Sequence, residues 1–155
     1  MDRRRFCLTA LGSGALSVGA LARALAYTPP TIRWHKDLKT AHRIAVQQSR
    51  PLLILFSASW CTFCHKLQRE TLGEKPMVAF VEQKFVPLLL DYDKDKAVAR
   101  ILEVESLPCT VVLSPQADLL ARVAGYAKSA EYRQSLQAAL DAQDRIQQAA
   151  AVSEP

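Results

Sequence analysis

The run Leu52-Leu53-Ile54-Leu55-Phe56-Ser57-Ala58-Ser59-Trp60-Cys61-Thr62-Phe63-Cys64-His65 decides the fold. Its five unbroken apolar residues, 52–56, predict a strand covered on both faces, since a half-exposed strand would alternate. Three small residues follow, and Trp60-Cys61-Thr62-Phe63-Cys64-His65 then opens a helix predicted to reach about Thr71, with Gly73 ending it. Cysteines three apart at a helix start can bring their sulfurs together with little backbone movement. The free N–H groups and positive potential of a helix start favour a thiolate at Cys61. His65, four residues after Cys61, lies on the same helical face, where a protonated ring would favour that thiolate further. Cys64, one turn in, is the more buried thiol. The pattern is that of thiol–disulfide exchange: Cys61 attacks as the exposed nucleophile, a mixed disulfide forms, and Cys64 resolves it.

Outward from this run, the chain alternates strands and helices. Asp37 to Ser49 carries apolar residues at 38, 41, 44 and 45, a one-faced helical spacing broken by Arg50-Pro51. Pro76 suits the first turn of a short helix to about Gln83, and Phe85-Val86-Pro87-Leu88-Leu89-Leu90 is a second apolar strand running into Asp91. Lys94 to Leu102 reads as helix. After the turn Ser106-Leu107-Pro108, Cys109 to Leu113 forms a strand whose hairpin partner runs from Leu119 to Ala124. Gly125 ends that strand, and Ser129 is placed to cap a long Ala- and Gln-rich terminal helix. The order predicts a single α/β domain over residues 37–145, a mixed central sheet flanked by helices, with an extended lead-in at 27–36 and a fraying tail at 146–155.

Composition agrees with one domain. The chain has 155 residues, half of them hydrophobic, which is room for one core and too little for two. Its net charge of +5 is concentrated at the N-terminus, where Arg3, Arg4, Arg5 and Arg23 face only Asp2. Residues 27–155 hold sixteen basic against fourteen acidic residues, which does not suggest a nucleic-acid binder. The basic start, a short apolar stretch from Cys7 to Leu21 interrupted by glycines, and Ala24-Leu25-Ala26 have the layout of an export signal spanning residues 1–26. Arg3-Arg4-Arg5-Phe6 matches the twin-arginine pattern, with Asp2 and Cys7 departing from its usual flanks. Removal after Ala26 would take Cys7 away and leave the protein in the periplasm or another extracytoplasmic space.

Trp60-Cys61-x-x-Cys64 after an apolar strand, with a proline turn before a later strand, resembles the thioredoxin superfamily. The fuller run Ser59 to Leu67, continued by Glu70-Thr71 and Phe85-Val86-Pro87, is similar to an exported thioredoxin-like branch that includes the C-terminal domain of the bacterial membrane disulfide reductase. The resemblance implies a thioredoxin fold and a redox-active Cys61–Cys64 pair. It also implies a cis bond at Leu107-Pro108, where the family's cis-proline packs on the disulfide and offers backbone to substrate. Trp60, Thr62, Phe63 and His65 are the supporting residues. Three departures stand out. Leu55 occupies the place of the buried aspartate of thioredoxins proper, and the partner lysine is replaced within Leu88-Leu89-Leu90. Thr62-Phe63 is neither the Gly-Pro of cytosolic thioredoxins nor the Pro-His of the periplasmic oxidase, which leaves the redox direction open. The proton relay of the resolving cysteine must therefore differ, through water or His65.

The exchange reaction requires no bound cofactor and no metal. The expected partners are exported proteins with disulfides or cysteine pairs, and a membrane thiol-electron donor, with the chain itself a monomer. Competing readings remain in the sequence. Cys61-Thr62-Phe63-Cys64-His65 is a literal haem-attachment motif, C-x-x-C-H. Cys61, Cys64, Cys109 and His65 are a formal zinc quartet, and the cysteine pair could be purely structural in a binding or chaperone module. His65 could equally be a surface residue without influence on the cysteines, and Glu70 reads as a surface or helix-packing residue. Cys109, directly after the proline turn, is expected beside the active site; it shares a strand face with Val111 and Leu113 and reads as a buried small side chain outside the exchange cycle, with a third redox thiol as the alternative.

Overall fold

The computed structural model describes residues 31–152; the export signal expected at 1–26, its expected cleavage point, Cys7 and the last three residues of the tail lie outside the described residues. Strand β1 (Leu52–Ser57) is buried along its whole length, as the unbroken apolar run requires. It pairs in parallel with β2 (Val86–Asp91) on one side and antiparallel with β3 (Cys109–Leu113) on the other. Strand β4 (Leu119–Ala124) closes the hairpin with β3, giving the mixed order β2-β1-β3-β4. The lead-in is tied to the outer side of β2: the His35 N–H donates to the Pro87 carbonyl at 2.9 Å, and the Leu89 N–H donates to the His35 carbonyl at 3.0 Å.

Helices cover both faces. Helix α1 (Leu38–Gln48) begins where Asp37 accepts from the Thr40 N–H at 2.7 Å, a side-chain N-cap. It buries Ala41 and Ala45 with Leu52, Ile54 and Phe56 of β1. Helix α4 (Lys96–Ile101) adds Ala99 to this layer. The opposite face of β1, carrying Leu53 and Leu55, packs with α3 (Lys75–Lys84) and α5 (Ser129–Val152), where Phe80, Val81, Tyr132 and Leu136 fill the core. Alternation along β1 thus divides its side chains between two apolar layers.

Three local features differ from the sequence reading. The helix opened by the cysteine motif runs as α2 only over Thr62–Lys66 and continues as a π-helical turn over Leu67–Thr71. No periodicity announces such a turn, because it is fixed by tertiary contacts: Leu67 and Thr71 are buried, and the Thr71 hydroxyl donates to the Ala127 carbonyl at 2.7 Å. Ser129 does not cap α5. It is the first helical residue, its hydroxyl donates to Glu74 at 2.6 Å, and the first α5 bond goes from Tyr132 to the Lys128 carbonyl. Finally, α5 continues to Val152 rather than fraying from residue 146. Its Ala- and Gln-rich second half has high helix propensity, and Gln143 anchors it by donating to the Ser49 carbonyl at 3.3 Å.

Gly73 follows the π turn at a close approach. A Cβ there would meet the Arg69 carbonyl oxygen at 2.5 Å, a backbone atom with little room to yield. Gly73→Ala is expected to cost about 1–3 kcal/mol, as overpacking does; chemical denaturation showing no loss would mean that the turn relaxes freely.

Candidate redox site

The end of β1 delivers the site. Ser57 is the last strand residue, the Cys61 N–H donates to the Ala58 carbonyl at 3.1 Å, and this tight bend turns the chain into α2. Cys61 is the N-cap residue of α2, in extended conformation, and its Sγ accepts from the Cys64 N–H at 3.2 Å. The two sulfurs are joined as a disulfide, with the Cα atoms 5.3 Å apart. An N–H held against a cysteine sulfur in this way is a placement that favours a thiolate.

Exposure is divided differently from the sequence expectation. Cys61, expected to be the exposed thiol, keeps only 6% of its surface open, because it packs with Ala58, Cys64 and Leu107 in a small apolar cluster. Cys64 keeps none, so the order of the pair is as expected even though the degree is not. The exposed groups around the pair are Trp60, at 64%, and Phe63, at 59%. Trp60 is held by its indole N–H, which donates to Asp93 Oδ2 at 2.8 Å, and the Asp93 N–H in turn donates to Asp91 at 3.0 Å. Thr62 is the exposed first residue of α2.

His65 does not turn towards the sulfurs. It is exposed, and its Nε2–H donates to the Ser59 carbonyl at 2.9 Å, which pins the ring to the bend before the motif. The Leu107–Pro108 peptide bond is cis. Leu107 packs against the cysteine cluster, and the Pro108 carbonyl accepts from the Gly125 N–H at 2.8 Å. The fold therefore brings the loop before β3 and the loop after β4 to one rim of the disulfide.

Further along the motif helix lies a contact network with a partner, Tyr126, that the sequence reading passed over. Glu70, read as surface or packing, is the hub of a small network. It accepts from the Tyr126 hydroxyl at 3.2 Å, pairs with Arg69 at 3.1 Å, and has Lys66 at 4.0 Å, while the Lys66 ammonium sits 4.6 Å from the centre of the Tyr126 ring. Arg69, with Tyr126 and Lys66 assisting, holds the Glu70 carboxyl below the usual carboxylate range. Together with the Thr71–Ala127 bond, this network clamps the motif helix to residues 125–127, and through Gly125 to the proline loop. Lys66 and Glu70 are four residues apart on one helical face, whereas Tyr126 is 56 residues from Glu70 and no local spacing points to it.

Cys109 lies away from this chemistry. It is 2% exposed and free, and it faces the α1/α4 layer with Phe56 and Val111, whereas the motif helix covers the other face of the sheet. The formal zinc quartet is therefore not assembled, and among the described residues no group of three His, Cys, Asp or Glu side chains is placed to hold a metal. The haem motif has its two sulfurs bonded to each other and its histidine engaged with Ser59. Burial pushes the Cys109 thiol up, against the opposing pull of Arg122, so it stays protonated at neutral pH. Cys109→Ala is expected to leave disulfide reduction within about threefold and to cost about 1–2 kcal/mol from the small cavity. A collapse in rate with melting unchanged would place Cys109 in the cycle after all.

Comparison with known proteins agrees with this geometry. The thioredoxin-like domain model matches residues 38–140. The chain belongs to the thioredoxin-like domain family. A curated relative, the thioredoxin-related protein DsbJ of Chlamydia pneumoniae, is 27% identical over 124 residues, covering 72% of this chain and 36% of its own length. This thioredoxin-like chain thus spans about a third of the relative's length. Among solved structures, a DsbH oxidoreductase superposes with a TM-score of 0.65 at 21% identity, covering 76% of this chain and 92% of that one. A thioredoxin from Thermus thermophilus gives 0.63 at 23%, covering 69% and 85%. At these identities the superpositions establish the fold. The thioredoxin-like domain here carries its disulfide-bonded cysteine pair just beyond the end of its central strand.

Proposed function

We propose that this thioredoxin-like protein is an exported thiol–disulfide oxidoreductase that reduces or exchanges disulfides of other exported proteins. The observation that carries the reading is the Cys61–Cys64 disulfide at the start of α2, with the Cys64 N–H on the Cys61 sulfur and Leu107 packed against the pair. In the reducing direction, the Cys61 thiolate attacks one sulfur of a substrate disulfide. The substrate S–S bond breaks, and its other sulfur leaves as a thiolate. Cys64 then attacks the Cys61 sulfur of the mixed disulfide and releases the second substrate thiol, so the protein gains the disulfide that the substrate loses. Trp60, Phe63 and the Pro108 loop form the surface on which a substrate strand would rest.

Export rests on residues 1–26, whose basic start and small-residue end support passage by the twin-arginine route and removal near Ala26. No helix among the described residues is long and apolar enough to cross a membrane. A reductase in an oxidising space has to be recharged, which supports a membrane thiol-electron donor as partner. The Dsb-type names of two of its relatives support the same surroundings.

Insulin reduction by dithiothreitol tests the reading directly. Acceleration of the turbidity onset is expected; a chain that folds and binds but gives no acceleration would be a binding or chaperone module. The reduction potential then fixes direction: about −270 mV marks a reductase and about −120 mV an oxidase.

A further inference from the structure

Resolution by Cys64 releases a proton, because its thiol must lose one as its sulfur bonds to Cys61. Cys64 has no exposed surface, so that proton needs a route. On the α2 side of β1, residues 53, 55 and 57 share one face. Leu55 is fully buried and offers no acceptor. Two hydroxyl systems flank it. Across β3, the Thr110 and Tyr132 hydroxyls bond to each other at 2.7 Å, but both residues are sealed, at 1% and 0% exposure. At the end of β1, Ser57 is different. Its Oγ accepts from Gln68 Nε2 at 3.2 Å, and the same amide reaches the Cys64 carbonyl at 3.4 Å. Ser57 and Gln68 also line a cavity of about 600 Å³ between the motif helix and the carboxyl ends of β1 and β2. Here the chain leaves β1 for one face of the sheet and β2 for the other, the place where open α/β sheets form crevices. The cavity opens to solvent among Lys36 of the lead-in, His65 of α2, Asp91 of β2, and Lys94 and Asp95 of the following loop.

We propose that Gln68 and Ser57 are positioning residues for the resolving step: they hold water from this crevice against the turn bearing Cys64, and the proton of its thiol leaves by that water. The inference rests on the oxidoreductase reading and adds a route to it. The step balances without a further reagent: Cys64 and the Cys61 sulfur form a bond, the substrate sulfur leaves with the electron pair, and the proton passes to water and on to the leaving thiolate.

The test uses the full chain, reduced and mixed with one equivalent of 5,5′-dithiobis(2-nitrobenzoate), followed by stopped-flow absorbance. The first release of coloured thiolate reports attack by Cys61 and the second reports resolution by Cys64. Gln68→Leu should slow the second phase about tenfold at neutral pH and move its pH midpoint up by about one unit, leaving the first phase unchanged. Ser57→Ala should act in the same direction, and Gln68→Met, which keeps the length of the side chain and loses the donating amide, should be as slow as Gln68→Leu. Second phases at the parental rate and midpoint in both Gln68→Leu and Ser57→Ala would overturn the route. So would equal slowing of both phases, or a Gln68→Met variant at the parental rate, either of which indicates that only the packing of the side chain matters. A parental chain without a second phase would overturn the oxidoreductase reading itself, a result distinguishable from the others.

Discussion

Cys61→Ser is expected to abolish insulin reduction, a loss of about a thousandfold or more, while Cys64→Ser keeps the attack and stalls after it. The nucleophile of the exchange is a thiolate, and a serine hydroxyl has no comparable ionisation near neutral pH. Cys61 is the sulfur with some exposure and with the Cys64 N–H pointing at it, whereas Cys64 is fully enclosed and reaches only its neighbour. A Cys64→Ser chain should therefore collect mixed disulfides through Cys61, visible as higher-mass species that dithiothreitol removes. Mapping of the trapped bond to any residue other than Cys61, or parental turnover by either variant, would refute these roles.

The largest expected stability effect lies at Tyr132. Its side chain is fully buried among Leu53, Leu55 and Leu136, and its hydroxyl meets that of Thr110. Tyr132→Ala should cost about 3–5 kcal/mol in chemical denaturation, the range for emptying an aromatic site. Tyr132→Phe should cost about 1–3 kcal/mol, because it leaves a buried threonine hydroxyl without its partner. Burial pushes the phenol well above its ordinary value of 10.0. The unfolded chain therefore ionises first as pH rises, and the stabilisation, complete below pH 10, is lost above it at up to about 1.4 kcal/mol per pH unit. The parent should lose stability more steeply than Tyr132→Phe above that pH. Parallel curves for the two would show that the phenol is not enclosed as described.

The elements that the sequence announces are those whose local signal and burial agree. The run 52–56 is apolar without interruption and is buried throughout; Cys109 to Leu113 and Leu119 to Ala124 have the bounds their turn residues imply. The Cys61–Cys64 pair is equally legible, because three-residue spacing at a helix start is itself local geometry. What stays hidden depends on distant partners. The π turn answers to Ala127, the Glu70 network to Tyr126, and the small exposure of Cys61 to Leu107. His65 shows the limit of helical spacing. It lies on the predicted turn, yet its ring answers to Ser59, a backbone carbonyl six residues upstream that no face diagram contains.

The two bonds that join His35 to β2 also bear on how the protein avoids its own copies. A sheet of four strands has two rims where another chain could add, and each rim is a route to aggregation. Along β2, the lead-in occupies two of the outward backbone groups, and Pro87 has no N–H to offer on the side its carbonyl faces. Along β4, the hairpin is irregular at Val112/Leu113, and Arg122 places a charge on the rim strand. A chain shortened to begin at Leu38 would retain every residue of the sulfur chemistry while uncovering the β2 rim, and with it a template for self-association.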